Sequence, residues 1–142
     1  MPKKGLHVLP ASEADMLVIE QFARKFDLDV EAISGNQFLV VKDSDRILGF
    51  GRLRQYPECA EIATVGVLED EQHKGIGSQI IQELISRGPR EIYVTCVIPE
   101  FFQKLGFQMV KQYPAVLQKK VDFCKSYDFN DEQVFVMKMT KQ

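Results

Sequence analysis

Two glycines at the start of a predicted helix mark the stretch of sequence best suited to chemistry. Residues 65–78 read VGVLEDEQHKGIGS, in which a strand ends, an acidic turn follows, and Gly75 and Gly77 lead into a helix. Glycine lets the backbone turn tightly and lets a ligand approach closely. The start of a helix offers unpaired N–H groups and a partial positive charge of about half a unit. Together these features predict a binding site for a pyrophosphate group.

Two other kinds of phosphate-binding loop are excluded by their motifs. A P-loop requires GxxxxGK followed by Ser or Thr, and the sequence contains no such pattern. A dinucleotide-binding fingerprint requires GxGxxG, but Gly75 and Gly77 are followed by Ser78, Gln79 and Ile80 with no third glycine. By itself the glycine pair favours an ordinary helix start. Whether it is instead a phosphate-binding loop has to be judged from the neighbouring segments of the sequence.

Three segments of the sequence resemble the motifs of one enzyme superfamily. Gln72-x-x-Gly75-x-Gly77 is similar to the signature [QR]-x-x-G-x-[GA], at a strand-to-helix crossing. Residues 101–107 (FFQKLGF) are similar to FY-x-KLGF, and residues 47–50 (ILGF) to the IVGF of a third strand. In this order and spacing the segments resemble the GNAT superfamily of N-acetyltransferases, over nearly the whole chain. The resemblance is weakest before about Asn36 and over residues 112–132.

The resemblance implies a fold and a co-substrate. The fold is an α/β (α+β) arrangement, a strongly twisted mixed sheet of six or seven strands with helices on both faces. The sheet is splayed between the fourth strand, residues 61–68, and the fifth, residues 91–98. Acetyl-CoA is the implied co-substrate, with pantetheine in the splay against the backbone of Val65, Gly66 and Val67. The remaining implied cofactor-binding residues are Gln72, His73, Lys74, Gly75, Ile76, Gly77 and Ser78, together with Phe102, which packs on the pantetheine.

A general base is needed because a lysine-like amine has a pKa of about 10.4 and must lose its proton before it can attack. Glu61 begins the fourth strand and is similar in position to the catalytic glutamate in the pattern EI-x-x-x-x-V of the family's histone-acetyltransferase branch, so it is the expected base. Glu58 is the fallback, and a solvated residue at the strand start is the alternative interpretation of Glu61. The expected oxyanion donor is the amide of Val65 or Gly66.

The sequence departs from its family at the general acid. Many members have a tyrosine at the second aromatic position of FY-x-KLGF, but Phe102 stands here and has no proton to donate. The proton for the departing thiolate then comes from water, Tyr113, Tyr127 or Cys124, and the sequence does not choose among them.

Two arginines are candidate substrate-binding residues. Arg52 and Arg54 share a strand face with Leu48 and Phe50. Because arginine binds a carboxylate through two hydrogen bonds, the acceptor could be an amino acid; an exposed strand end is the alternative. Residues 113–117 (YPAVL) followed by Cys124 resemble the amino-acid N-acetyltransferase branch of the family, which includes N-acetylglutamate synthases.

We therefore expect an enzyme that moves an acetyl group from acetyl-CoA to a primary amine of a small molecule or amino acid, by direct attack with general-base help. One alternative is a protein acetyltransferase for lysine or N-terminal amines, where the acidic turn of residues 69–71 would attract basic chains. Another is a CoA-binding module without turnover, suggested by Phe102. A small acceptor predicts a closed pocket formed by residues 112–132, whereas a peptide acceptor predicts an open groove.

The composition limits which kinds of partner and which cellular compartment we expect. With 142 residues, 45% of them hydrophobic, the chain predicts one globular domain over residues 1–142. A net charge of −2 argues against nucleic acid as a partner. The first fifteen residues lack the apolar core of a signal peptide, and no apolar run approaches the roughly 20 residues that span a bilayer. We expect no membrane partner, and a homodimer is left open.

The cysteines and histidines predict a cytoplasmic protein without a metal. Cys59, Cys96 and Cys124 are widely spaced and form no CxxC pair, which favours free thiols in a reducing cytosol. The apolar spacing around Cys96 predicts a buried structural thiol. Neither histidine forms a metal-ligand pattern with a cysteine.

The predicted elements position these residues. Ser12 is expected to cap a first helix, with Asp15 in capping-box position. Strands over residues 37–42 and 46–54 are expected to form a hairpin through the turn at 43–45. The remaining predicted elements are strands over residues 6–9, 107–111 and 133–139, a helix over about 75–87 and a helical turn over 100–105.

Overall fold

A computed structural model describes residues 6–126 and 133–142. The chain forms two compact units: the first contains the residues up to Leu53 together with Ile62–Arg87, and the second contains Arg54–Glu61 and Gly88–Gln142. The single domain that the composition predicts stays a prediction. The strands are β1 (Val8–Pro10), β2 (Phe38–Asp43), β3 (Arg46–Gln55), β4 (Ala60–Val67), β5 (Glu91–Cys96), β6 (Gln108–Met109) and β7 (Phe135–Thr140). The helices are α1 (Glu13–Lys25), α2 (Ile76–Arg87), α3 (Pro99–Gln103) and α4 (Gln118–Lys125), with 3-10 turns at Gly35–Gln37, Glu69–Glu71 and Ala115–Leu117.

The strands of the described residues form a seven-stranded mixed sheet in the order β1-β2-β3-β4-β5-β7-β6. Antiparallel pairs join β1 to β2, β2 to β3, β5 to β7 and β6 to β7, while β4 and β5 are parallel. Within the described residues the ladder between β4 and β5 has one register pair, Glu61 with Tyr93, whereas β5 and β7 share six. A ladder this short is what the predicted splay requires. The predicted fold class is confirmed.

Helices cover both faces of the sheet in the first unit. On one face Phe38, Val40 and Phe50 form a buried cluster with Ile19 of α1. On the other face the strand has glycine where α2 crosses it, because a Cβ on Gly49 would lie 2.8 Å from Cγ2 of Ile76. Alternation along β3 therefore sends large side chains to α1 and leaves room for α2.

The first turn of α1 has the predicted capping box. The Ser12 hydroxyl accepts a hydrogen bond from the Asp15 N–H at 3.1 Å, and the Asp15 carboxylate accepts one from the Ser12 N–H at 2.8 Å. Lys42 of β2 lies 2.7 Å from the same carboxylate. Burial raises the pKa of Asp15, but the hydrogen bonds from Lys42 and Ser12 outweigh that effect and hold it below its ordinary value.

Most of the differences between the predicted and the observed secondary-structure elements lie in the second unit. Leu117, Val121 and Val136 belong to a core that the last helix and strand share. Helix α4 falls within residues 112–132, where the sequence predicted no regular element. Strand β5 ends at Cys96, two residues before the predicted end of the fifth strand, and Ile98 is 53% exposed. No helix among the described residues is long and apolar enough to cross a membrane.

Candidate active site

The loop between β4 and α2 adopts a conformation that depends on glycine. After the 3-10 turn Glu69–Glu71, His73 and Gly75 take left-handed backbone conformations with φ of 67° and 82°. A side chain is disfavoured there, so glycine suits position 75. Gln72 fastens the loop to the strand, because its side-chain amide donates to the Val67 carbonyl at 3.2 Å.

Helix α2 begins at the point where an anion could bind. Its first turn closes with the Gln79 N–H donating to the Gly75 carbonyl at 3.0 Å. The N–H groups of Ile76, Gly77 and Ser78 precede this bond and have no acceptor within the helix. The Ile76 side chain is buried against the sheet, which holds the helix start in place. Such an N-terminus favours phosphate oxygens through its N–H groups and its dipole.

The acidic turn before the loop is engaged by neighbouring cations. Asp70 accepts hydrogen bonds from Arg46 at 2.9 and 3.1 Å, and these lower the pKa of Asp70 from its ordinary value. The buried Glu71 carboxylate lies 3.6 Å from Arg46 and 3.5 Å from Lys74. Two of the three acidic residues therefore already have cationic partners, which reduces their attraction for a basic peptide.

The segment of β4 predicted to face pantetheine is fixed by packing. A Cβ on Gly66 would lie 2.6 Å from the Phe50 ring and 2.8 Å from the Phe22 ring. The Leu68 N–H, just past the strand, donates to the Leu48 carbonyl at 2.9 Å. Thr64 has a left-handed backbone with φ of 53° in the middle of the strand. The backbone of Val65–Val67 therefore has one strongly preferred position.

Arg52 is directed to internal partners. Its side chain is 0% exposed and donates to the Thr64 hydroxyl at 2.8 Å, the Gln37 side chain at 3.0 Å and the Asp29 carbonyl at 3.1 Å. The alternative of an exposed strand end is wrong for both arginines, since Arg54 is only 7% exposed. The guanidinium of Arg52 holds the fold together, which makes Arg54 the better candidate for a substrate carboxylate.

Glu61 is buried in the second unit, so its interpretation as a solvated residue at the strand start is wrong. It is 0% exposed. The Tyr56 hydroxyl donates to its carboxylate at 2.9 Å, and the Lys120 ammonium lies 3.9 Å from it. A buried carboxylate requires such partners to offset its lost hydration. Glu58, the fallback base, is exposed.

Arg54 joins this group through Tyr56. The guanidinium carbon of Arg54 lies 4.8 Å from the centroid of the Tyr56 ring, whose hydroxyl donates to Glu61. We call Arg54, Tyr56, Glu61 and Lys120 the Glu61 cluster. Sequence reasoning missed Tyr56 and Lys120. The sequence signal for Tyr56 was Pro57 directly after it, which indicates a turn; in the structure the Tyr56 N–H donates to the Cys59 carbonyl at 2.8 Å within this turn. Lys120 had none, because α4 was not predicted.

Cys59 and Cys96 are protonated thiols at neutral pH. Burial, with smaller contributions from the charges of Glu61 and Glu58, raises the pKa of Cys59 to about 11. Burial likewise raises the pKa of Cys96 to about 11, which agrees with its predicted role as a buried structural thiol.

The candidates for the general acid fall in different surroundings. The Tyr113 hydroxyl donates to the Gln118 side chain at 3.0 Å, and Tyr113 and Cys124 both pack on the core of the second unit. Tyr127 lies outside the described residues. Phe102 is buried and packs edge-on with Phe101 and Phe107, with ring centroids 5.1 and 5.5 Å apart. Its contact with pantetheine stays a prediction.

Solved structures with this fold come from several organisms. N-acetylglutamate synthase from Neisseria gonorrhoeae, complexed with coenzyme A and N-acetyl-glutamate, matches with a TM-score of 0.76 and 16% identity over 99% of this chain and 36% of that chain. Our chain thus spans about a third of the length of the Neisseria protein. Rv2747 from Mycobacterium tuberculosis, in complex with CoA and NLQ, matches with a TM-score of 0.74 and 21% identity over 96% of this chain and 99% of that one.

A third structure is an acetyltransferase of the GNAT family from Staphylococcus aureus Mu50, with a TM-score of 0.67, 13% identity, and 97% and 100% of the two chains covered. At such identities these likenesses show the fold alone. No curated protein matches the sequence. Residues 9–107 match the family described as "Acetyltransferase (GNAT) family". Since this match covers more than half of the chain and includes all three motif segments, the chain is a member of the GNAT acetyltransferase family.

Proposed function

We propose that this protein transfers the acetyl group of acetyl-CoA to the primary amine of an amino acid or another small molecule. The observation that carries the proposal is the loop between β4 and α2. Left-handed Gly75 precedes the helix N-terminus at Ile76, and the loop lies on the strand-to-helix crossing of a family member. This arrangement suits a pyrophosphate group.

The residues of the loop fit the chemistry of CoA. The N–H groups of Ile76, Gly77 and Ser78 are suitable donors for pyrophosphate oxygens, and the positive charge of Lys74 lies beside them in sequence. We propose that Gln72 and His73 complete this site, and that the backbone of Val65, Gly66 and Val67 binds pantetheine. Acetyl-CoA supplies an activated acetyl group, and the protein supplies binding and orientation.

Glu61 is the proposed general base. The amine must be neutral to attack the thioester carbonyl carbon; the new C–N bond forms, the C–S bond breaks, and the departing thiolate takes up a proton. A buried carboxylate held by Tyr56 at 2.9 Å has a fixed orientation, which suits proton acceptance directly or through a water molecule. The amide of Val65 or Gly66 is the proposed donor to the carbonyl oxygen.

An amino acid is the proposed acceptor class, with Arg54 as the residue that binds its carboxylate. Arg54 and Glu61 belong to one cluster through Tyr56, so the same group of side chains offers a cation and a base. The Neisseria structure contains coenzyme A together with N-acetyl-glutamate, an acetylated amino acid. Both observations support a small acceptor over a protein.

A thiol-release assay over a panel of amines tests this proposal. Each amino acid is compared with the corresponding amine that lacks the α-carboxylate, and with a lysine-containing peptide. We expect turnover with amino acids. Because Arg54→Met removes one charged hydrogen-bonding partner of the carboxylate, we expect it to raise the KM for amino acids at least about tenfold. Arg54→Met should leave the KM of amines without the carboxylate unchanged.

Other outcomes of the panel would redirect or overturn the proposal. Turnover of the peptide alone would identify a protein acetyltransferase instead. CoA binding without thiol release from any amine would identify a binding module without turnover, as the substitution of phenylalanine at position 102 suggests.

A further inference from the structure

Thr64 has a backbone conformation that a β-branched residue rarely adopts. Its φ of 53° lies in the left-handed region, although the residue is buried and lies inside β4. Steric crowding of Cβ makes this conformation unfavourable for threonine. Such a residue persists only where its surroundings hold it, and such positions concentrate at functional sites.

Hydrogen bonds with Asp29 and Arg52 hold Thr64 in place. Its hydroxyl donates to the Asp29 carbonyl at 2.7 Å and accepts from Nε of Arg52 at 2.8 Å. Arg52 in turn donates to the Asp29 carbonyl at 3.1 Å and to Gln37 at 3.0 Å, and lies 3.7 Å from the Asp29 carboxylate. We call these four residues the Arg52 network.

The network acts on the strand immediately before the proposed cofactor-binding backbone. Gly66 is seated between Phe22 and Phe50 with no room for a side chain, so the strand is fixed two residues beyond Thr64. A left-handed residue in a strand changes the side to which the following amides point. The conformation at Thr64 therefore decides the direction of the Val65 and Gly66 N–H groups.

We propose that Arg52 and Thr64 are positioning residues that direct the Val65 and Gly66 amides toward the acetyl group. Neither residue contacts the substrates in this role. The inference rests on the proposed function and replaces the carboxylate-binding role that the sequence suggested for Arg52. Oxyanion donors must be fixed before the reaction to be effective, and a largely buried network of hydrogen bonds provides that rigidity.

Thr64→Val is the main test, because valine keeps the shape and removes the hydroxyl. We expect kcat to fall about 10- to 100-fold. This fall is no larger than the one that follows removal of an oxyanion donor. The Kd for CoA, measured by calorimetry, should rise by a smaller factor than kcat falls, because the pyrophosphate loop is intact and only the contacts of Val65 and Gly66 with pantetheine are disturbed. The pH–rate profile should keep its shape because the base is unchanged. Thr64→Ser, which retains the hydroxyl, should restore kcat to within about threefold of the parent, since the hydrogen bonds persist.

Ile19→Val is the matched control, a small change in the core of the same unit. Amide hydrogen exchange over residues 65–68 supplies a readout independent of activity, and we expect faster exchange there in Thr64→Val than in Ile19→Val. Arg52→Lys, a second variant with the charge retained, should lower kcat in the same way. Parental kcat in Thr64→Val, or an equal fall in Ile19→Val, would overturn the positioning role alone. A parent protein that neither binds CoA nor releases thiol would refute the proposed function and this inference with it.

Discussion

Glu61 combines complete burial with two polar partners, a combination that distinguishes it from an ordinary residue at a strand start. Tyr56 donates to its carboxylate, and Lys120 approaches it from α4. Removing one partner of a buried charge is costly, because the other is left without compensation. A buried carboxylate with these partners can be part of the fold, part of the chemistry, or both. Only a change that keeps its shape separates these roles.

Glu61→Gln is that change. If Glu61 accepts the amine proton, turnover should fall by about two to four orders of magnitude, the usual range for a general base. Affinity for CoA should hardly change, because the pyrophosphate loop is untouched. Raising the pH should partly restore the rate, because more of the amine is then already neutral. The measurement is a pH–rate profile on whichever amine the panel identifies, with calorimetry for CoA.

Glu58→Gln is the matched control for Glu61→Gln, since Glu58 is exposed on the turn that precedes β4 and should keep near-parental turnover. Parental turnover in Glu61→Gln at neutral pH would exclude Glu61 as the base. Loss of CoA binding in Glu61→Gln would instead assign it a role in holding β4 and β5 together at their register pair.

Among the secondary-structure elements, the first helix was predicted from the sequence and the last one was not. The capping box of helix α1 lies within four consecutive residues, so the sequence predicted the first residue of the helix correctly. Helix α4 (QKKVDFCK) has one buried side chain, Val121, and its pattern is mostly polar. Its packing against the second unit's core, rather than its own amphipathic pattern, accounts for it.

The cap of α1 predicts a dependence of stability on acid. Asp15 has a lowered pKa in the folded protein, so its stabilising contribution is present above its unfolded pKa of about 3.9 and is lost as the pH falls through the folded value. Asp15→Asn should therefore lower the free energy of unfolding by about 1–2 kcal/mol at pH 7. The difference from the parent should shrink below about pH 4 as the parent's own carboxylate takes up a proton.

Denaturant unfolding at a series of pH values measures this difference, with Glu13→Gln as the control. Glu13 lies in the same first turn and is exposed, so its effect should be limited to about 0.3–1 kcal/mol through the helix dipole. A difference between parent and Asp15→Asn that stays constant down to pH 3 would contradict the assignment.

At the scale of the whole molecule, binding of a ligand to the folded state should stabilise it. Acetyl-CoA at 100 times its Kd adds about 2.7 kcal/mol to the free energy of unfolding, so Tm should rise by several degrees in a thermal melt. Gly77→Asp should abolish most of this rise, because a carboxylate would occupy the proposed pyrophosphate position. The apo Tm should change little, since an acidic residue favours a helix N-terminus.

Position 77 is a better test than position 75, because Gly75 has a φ of 82° that strains any side chain. Gly77→Asn, of the same size without the charge, separates repulsion from crowding and should keep more of the stabilisation by acetyl-CoA than Gly77→Asp does. If Gly77→Asp retains the full rise in Tm, the proposed pyrophosphate site is wrong. If acetyl-CoA does not raise the Tm of the parent, the proposed function itself fails.

Features that depend on residues close together in the chain could be predicted from the sequence alone. The capping box spans Ser12 to Asp15, the hairpin closes through residues 43–45, and the loop motif occupies residues 72–77. Each rests on local backbone preference, which a short segment carries regardless of its surroundings. The same motifs identified the family that the match over residues 9–107 then confirmed.

The pairing of the buried polar groups depends on tertiary packing and could not be predicted from the sequence. Arg52 and Thr64 find Asp29, which lies 23 and 35 residues away in the chain, and Glu61 finds Lys120 on a helix that the pattern did not predict. Partners so far apart in sequence leave no periodic trace, because many pairings satisfy a buried charge equally well until packing brings one pair within reach. Because Arg52 is buried among these partners, we propose that it positions the backbone instead of binding the substrate.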